Sequence, residues 1–178
     1  MEEPELEPEH EPEPELSLAT SVLPQLVGGL QAPGAADRAE ALGQLAQIVD
    51  TSFGEDALVL GEYLRMSGGI DALVALVEDE EPMLHQTALL LIGNLASDAV
   101  DPNSVLTKGV LKEVGCFERL LPHLFSEDWL TLVYALGAVQ NMCTDVEYVE
   151  VMQDTGVVAR LQELAATDDP QLEKYAKG

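Results

Sequence analysis

The stretch GGIDALVALVEDEEPMLHQTALLLIGNLA, residues 68–96, carries two apolar helical stripes joined by a short acidic turn. Ile70, Leu73, Val74 and Val77 fall at i, i+3, i+4 and i+7, which puts four side chains on one helix face. Ala88, Leu91, Ile92 and Leu95 repeat that spacing. Between the stripes, Asp79 to Pro82 supply acidic capping candidates and a proline suited to a first helical turn.

The same stretch recurs along the chain. Moved forward by 47, Ile70 falls on Phe117, Leu73 on Leu120, Val74 on Leu121, Val77 on Leu124, Ala88 on Ala135, Ile92 on Val139 and Asn94 on Asn141. Moved back by 47, those slots hold Leu23, Leu26, Val27, Leu30, Ala41, Leu45 and Gln47. A period in the forties with three helices per unit defines an all-α solenoid, in which each unit buries its apolar face only against its neighbours.

Working outward, 17–50 reads as a partial repeat lacking its first helix, 51–97 and 98–143 as complete three-helix repeats, and 144–178 as a truncated one. In the first complete unit EDALVLGEYLRM is the first helix and Gly68 its stop. In the next, Asp101 and Pro102 are expected as N-cap and first helical residue, Gly115 as the stop, Phe117 to Phe125 as the second helix and about Asp128 to Cys143 as the third. Trp129 sits in that third helix's opening turn and is expected to pack there. The period then shortens to 41, taking Gly115 to Gly156 and Tyr134, Ala135 and Gly137 to Tyr175, Ala176 and Gly178. The next asparagine slot lies beyond Gly178, so the array is expected to continue or to be truncated there.

Residues 1–16 hold eight Glu and four Pro without a basic residue, and are expected to be a disordered acidic tail. Its single histidine, His10, has no preorganised ligand set. The net charge of −25, from 8 Lys+Arg against 33 Asp+Glu, argues against a phosphate backbone as partner. No apolar run is long enough to span a membrane, and the start of the chain lacks the pattern of a signal peptide, so a cytoplasmic or nuclear location is expected. Cys116 and Cys143 lie on apolar helix faces and read as reduced core thiols.

Catalytic signatures are missing. There is no GxxxxGK[ST], HExxH, CxxC pair or GxSxG turn, and His10, His85 and His123 have no spacing that gathers them on one face. The expectation is therefore no enzyme, no catalytic residue, no metal, no cofactor and no small-molecule substrate.

With these slots in hand, the units resemble armadillo repeats. A glycine before an Ile-Pro-x-Leu-Val helix is matched by GGIDALV at 68–74, GCFERLL at 115–121 and GVVARLQ at 156–162, with VLPQLV at 22–27 as the earlier copy. The third-helix ending is matched by ALLLIGNLA at 88–96 and ALGAVQNMC at 135–143. HEAT-type helix pairs compete less well, because a distinct helix ending in Gly precedes each Ile-x-x-Leu helix. The resemblance implies a right-handed α-α superhelix with about two complete repeats and partial ones at both ends. It also implies a concave groove in which Asn94 and Asn141, with Gln47 as a weaker equivalent, bind the backbone of an extended peptide.

A carboxamide suits that role, since it can pair with both the C=O and the N–H of a peptide unit whatever its side chain. The competing role is structural: the amide ties to a neighbouring helix and fixes the stacking of units. Importin-α-like members place a tryptophan four residues before the asparagine to hold lysine stems. Here those slots are Gly43, Leu90, Gly137 and Gly178, which speaks against nuclear-localisation-signal binding of that type. The turns entering the third helices are acidic at Asp37, at Glu78, Asp79, Glu80 and Glu81, at Glu127 and Asp128, and at Asp168 and Asp169. Helix capping explains each one locally, and together they form a negative rim that attracts a basic segment. The expected function is a protein-binding scaffold for an extended basic peptide. The alternatives are a nucleotide-exchange co-chaperone of the 70-kDa heat-shock type, or the start of a longer armadillo protein.

Overall fold

The computed structural model describes residues 22–143, 148, 151–153 and 155–177. The acidic tail with His10, the start of the last unit near Asp145, and Gly178 lie outside them. The described residues include the α-helices α1 (Leu23–Leu30), α2 (Ala35–Thr51), α3 (Glu55–Met66), α4 (Gly69–Leu76), α5 (Pro82–Leu95), α6 (Ser104–Glu113), α7 (Cys116–Leu120), α8 (Trp129–Met142), α9 (Val157–Ala165) and α10 (Pro170–Lys177). Residues 148 and 151–153 are also helical, and no strand occurs among the described residues.

Three rows arise from this order. The third helices stack in the sequence α2, α5, α8, α10, each touching the next. The second helices form a row behind them, and α3 packs on α6 to start a row of first helices. The stacking follows from the apolar stripes: Leu84, Ala88, Leu89 and Ile92 of α5, and Ala135 and Ala138 of α8, are fully buried. Each buried leucine or isoleucine contributes roughly 1.5–3 kcal/mol over an exposed one, so one helix face supplies most of the adhesion between neighbours.

The stop between first and second helices recurs with one geometry. Gly68, Gly115 and Gly156 precede α4, α7 and α9 with φ of +76°, +65° and +74°. Only glycine adopts this left-handed conformation without a Cβ penalty, and it turns the chain sharply into the next helix.

Two local expectations are corrected. The helix expected over Phe117 to Phe125 is α-helical only through Leu120 and continues as a 3₁₀ helix over Leu121–Phe125. Pro122 lacks the N–H that an α-turn would use at that point, and the tighter turn accommodates it. Asp101 is not the N-cap of α6, which is Asn103. Asp101 is instead drawn inward, 1% exposed, where its Oδ2 accepts from Arg65 Nη1 at 2.7 Å and from the Thr107 hydroxyl at 2.8 Å. Its Oδ1 accepts from the Asn103 amide at 2.9 Å, and this knot ties α3 to α6.

Both cysteines are free thiols, Cys116 buried and Cys143 half-buried. Burial pushes the Cys116 thiol up to about 12 and that of Cys143 to about 11, so neither offers a thiolate at neutral pH. No helix among the described residues is long and apolar enough to cross a membrane.

Candidate functional site

The third-helix row brings Leu90, Asn94, Gly137 and Asn141 together, along with Tyr134, Gln171 and Tyr175, around a groove of about 130 Å³. Four of these are residues that the sequence singles out. Gln47 is exposed one helix earlier and stands outside this lining.

The two asparagines differ in what they are free to do. Asn141 Nδ2 donates to the Gly93 carbonyl at 3.0 Å, so half of its carboxamide is used in holding α8 against α5. That contact depends on close approach: a Cβ at Gly93 would lie 3.2 Å from Ala138 Cα and 3.3 Å from its nitrogen. The stacking role weighed for these amides is therefore seen at Asn141, whose Oδ1 accepts no hydrogen bond from the described residues. Asn94 is half-buried at the groove and makes no side-chain hydrogen bond among the described residues. A half-buried amide without a protein partner keeps both its donor and its acceptor for solvent or a ligand.

Tyr134 and Tyr175 carry a 41-residue spacing that pairs them in the sequence, but no local signal says that this slot faces the groove. Tyr175 reaches across the small residue at Gly137, where a Cβ would meet its Cε1 at 3.9 Å. The tryptophan slot in α8 is thus overlaid by an aromatic ring from the following helix. Trp129, expected to pack at a helix start, is 46% exposed, and its indole N–H donates to Asp169 Oδ2 at 2.8 Å.

The acidic turns are partly committed. Asp128 caps α8, accepting from the Thr131 amide at 2.8 Å, and also accepts from Gln86 Nε2 at 2.9 Å. Asp169 accepts from the amides of Gln171 and Leu172 at 2.9 and 3.1 Å. These backbone donors, at Thr131 and Leu172 respectively, hold both carboxyls below the usual range. Asp79 pairs with Arg38 at 2.9 Å, and Glu78 with Arg119 at 2.6 Å. Glu80, Glu81, Glu127 and Asp168 are exposed and carry no ion pair among the described residues. No group of three or more His, Cys, Asp or Glu side chains that could hold a metal ion occurs among them either.

The histidines are corrected too. Although 38 residues separate them in sequence, the His85 and His123 rings lie 5.1 Å apart across the junction of two repeats. His85 Nδ1 donates to the Asp79 carbonyl at 3.0 Å, which leaves Nε2 to accept from the Thr131 hydroxyl at 3.3 Å. His123 Nε2 donates to the Val77 carbonyl at 2.9 Å. Sequence spacing missed this because the rings belong to a third and a second helix, whose relative placement is set by stacking.

Burial pushes the His123 imidazole below its ordinary value, with the neighbouring His85 acting in the same sense and the Val77 hydrogen bond opposing. A histidine whose folded pKa lies below its unfolded one binds protons more weakly in the folded state, so acid favours unfolding. The His123 contribution is full above about pH 6.5 and declines as pH falls below it, ahead of most carboxylates. We expect the melting temperature to drop between about pH 6.5 and 5, and His123→Gln to flatten that limb. Parallel pH profiles of the two proteins would contradict this account.

Three-helix units stacked through a continuous row of third helices make a repeat solenoid of the armadillo type. Solved structures carry the same fold. A designed armadillo repeat protein matches with a TM-score of 0.70 at 22% identity, over 86% of this chain and 61% of its own. A second, solved in complex with the peptide (KR)4, matches with a TM-score of 0.70 at 23% identity over 86% and 61%. A structure of computationally designed armadillo repeat proteins for modular peptide recognition matches at 0.71 and 20% identity over 88% and 62%. The chain thus spans somewhat over three-fifths of the length of these proteins. No protein-family model and no curated protein matches it.

Proposed function

We propose that the chain is a non-catalytic scaffold that holds an extended basic protein segment in the groove of its third helices. The observation that carries this reading is the carboxamide of Asn94, half-buried beside Asn141 in the groove and without a side-chain hydrogen bond among the described residues. Asn94 pairs with a peptide unit of the ligand, Asn141 accepts through its Oδ1, and Gln47 extends the ladder along the third-helix row to α2. Leu90 and Gly137 line the floor. The uncommitted carboxylates Glu80, Glu81, Glu127 and Asp168, backed by Glu78, Asp79, Asp128 and Asp169, supply the field that draws in basic side chains and speeds encounter. A designed armadillo repeat protein solved in complex with the peptide (KR)4 supports this reading.

Titration of the full chain with a (KR)4 peptide tests this reading. Binding should weaken as salt rises. Replacing Asn94 and Asn141 together by alanine removes two or three hydrogen bonds of roughly 0.5–1.5 kcal/mol each, so affinity should fall at least about fivefold. A double variant that binds (KR)4 as well as the parent would overturn the groove reading.

A further inference from the structure

The slots that tie one pair of repeats together lose their glutamate and both histidines at the next junction. Between the α4–α5 and α7–α8 units, Glu78 pairs with Arg119, the Asp79 carbonyl accepts from His85, and His85 meets both His123 and Thr131. Moved on by 47, Glu78 becomes Phe125, Asp79 becomes Ser126 and His85 becomes Leu132. Moved on by 41, Arg119 becomes Arg160 and His123 becomes Leu164. Four of these slots change residue and Arg160 keeps the arginine; all five border one open cleft of about 820 Å³ between α8, α9 and the start of α10.

The cleft has aromatic walls that are held in place and left uncovered. Trp129 is anchored through Asp169, and Phe125 is 51% exposed. Glu127 and Glu163 also line it. Its one cation, Arg160, is turned to internal use: Nε donates to the Leu124 carbonyl at 3.0 Å and Nη1 to Glu163 at 3.2 Å. What remains is an apolar and aromatic surface under a surplus of negative charge.

We propose that this cleft is a second docking site, separate from the asparagine groove, for an arginine- or lysine-bearing apolar segment of a partner protein. The cation lies against the Trp129 and Phe125 rings, its charge faces Glu127 and the Glu163 carboxylate shared with Arg160, and apolar neighbours cover the exposed face of Phe125. Aromatic faces attract cations in this way, and long basic side chains bury their stems on apolar surface. Charge selects this occupant over others, because a second copy of a chain carrying −25 and any anionic surface are both repelled.

Trp129 is the only tryptophan in the chain, so its fluorescence reports on the cleft directly. The full chain is titrated with capped hexapeptides that alternate leucine with arginine, glutamine or glutamate. The arginine peptide should give a saturable, salt-sensitive change, and the glutamate peptide none. Glu127→Gln with Glu163→Gln, both exposed positions, should weaken the response about three- to tenfold, the range of two partly exposed ion pairs. Phe125→Ala, at a position 51% exposed, removes one aromatic wall and should weaken the response severalfold while melting is unchanged. Asn94→Ala should leave it unchanged. The proposal is overturned if the glutamine peptide binds equally well, if the change follows protein concentration as in self-association, or if Asn94→Ala removes it. The last result would place the peptide in the groove and leave that reading standing.

Discussion

Replacing Asp101 by alanine should destabilise the chain by about 3–5 kcal/mol, because it strands a buried guanidinium. Arg65 is 8% and Asp101 1% exposed at the side chain, and Arg65 Nη1 spends its donors on Asp101 at 2.7 Å and on Thr107 at 2.8 Å. Removing the carboxylate leaves the cation with a neutral hydroxyl and no counter-charge, in a place that water scarcely reaches. Gly61 is part of the same arrangement, since a Cβ there would lie 2.7 Å from Asp101 Oδ2 and 2.9 Å from Arg65 Nη1. Urea denaturation of Asp101→Ala measures the loss. The double variant Arg65→Met with Asp101→Leu should recover most of it, because the cost lies in the uncompensated charge. A single-variant loss below about 1 kcal/mol would mean that Arg65 is effectively solvated.

Phe117→Ala is expected to cost a similar amount, about 3–5 kcal/mol, for a different reason. Phe117 is fully buried at the head of α7 and stacks on Tyr148 with ring centroids 4.2 Å apart. It fills the slot that Ile70 fills in the preceding repeat, so its truncation leaves a void at the joint of two units. In a solenoid each unit leans on its neighbours, and damage at one joint is felt most on its two sides. Hydrogen exchange should quicken in α7, α8 and α9 well before α1 and α2. Uniform loss of protection along the chain would instead show that the array unfolds as one cooperative body.

The helices were legible where periodicity alone determines them. EDALVLGEYLRM was bounded at both ends as α3, because an acidic first turn, an apolar stripe and a left-handed glycine are all local signals. Pro82 at the head of α5 and Gly115 and Gly156 as stops were equally local. Of the candidate site, Leu90, Asn94, Gly137 and Asn141 could be named together because a repeat period carries one slot to the next. The Arg65–Asp101 knot, the His85–His123 contact and the overlay of Gly137 by Tyr175 could not be named, since each joins residues from different units or different helix rows.

The sequence by itself determined that this is an all-helical repeat array, where its helices stop, and which residues share a slot, because spacing and glycine conformation are properties of the chain read locally. Tertiary stacking decided how each slot is used. It bound Asn141 to Gly93 while leaving Asn94 without a side-chain hydrogen bond among the described residues, drew Asp101 into the interior, and left Phe125 and Trp129 exposed beside a cleft. Those outcomes depend on distances between helices, which packing of the whole array sets and no single repeat specifies.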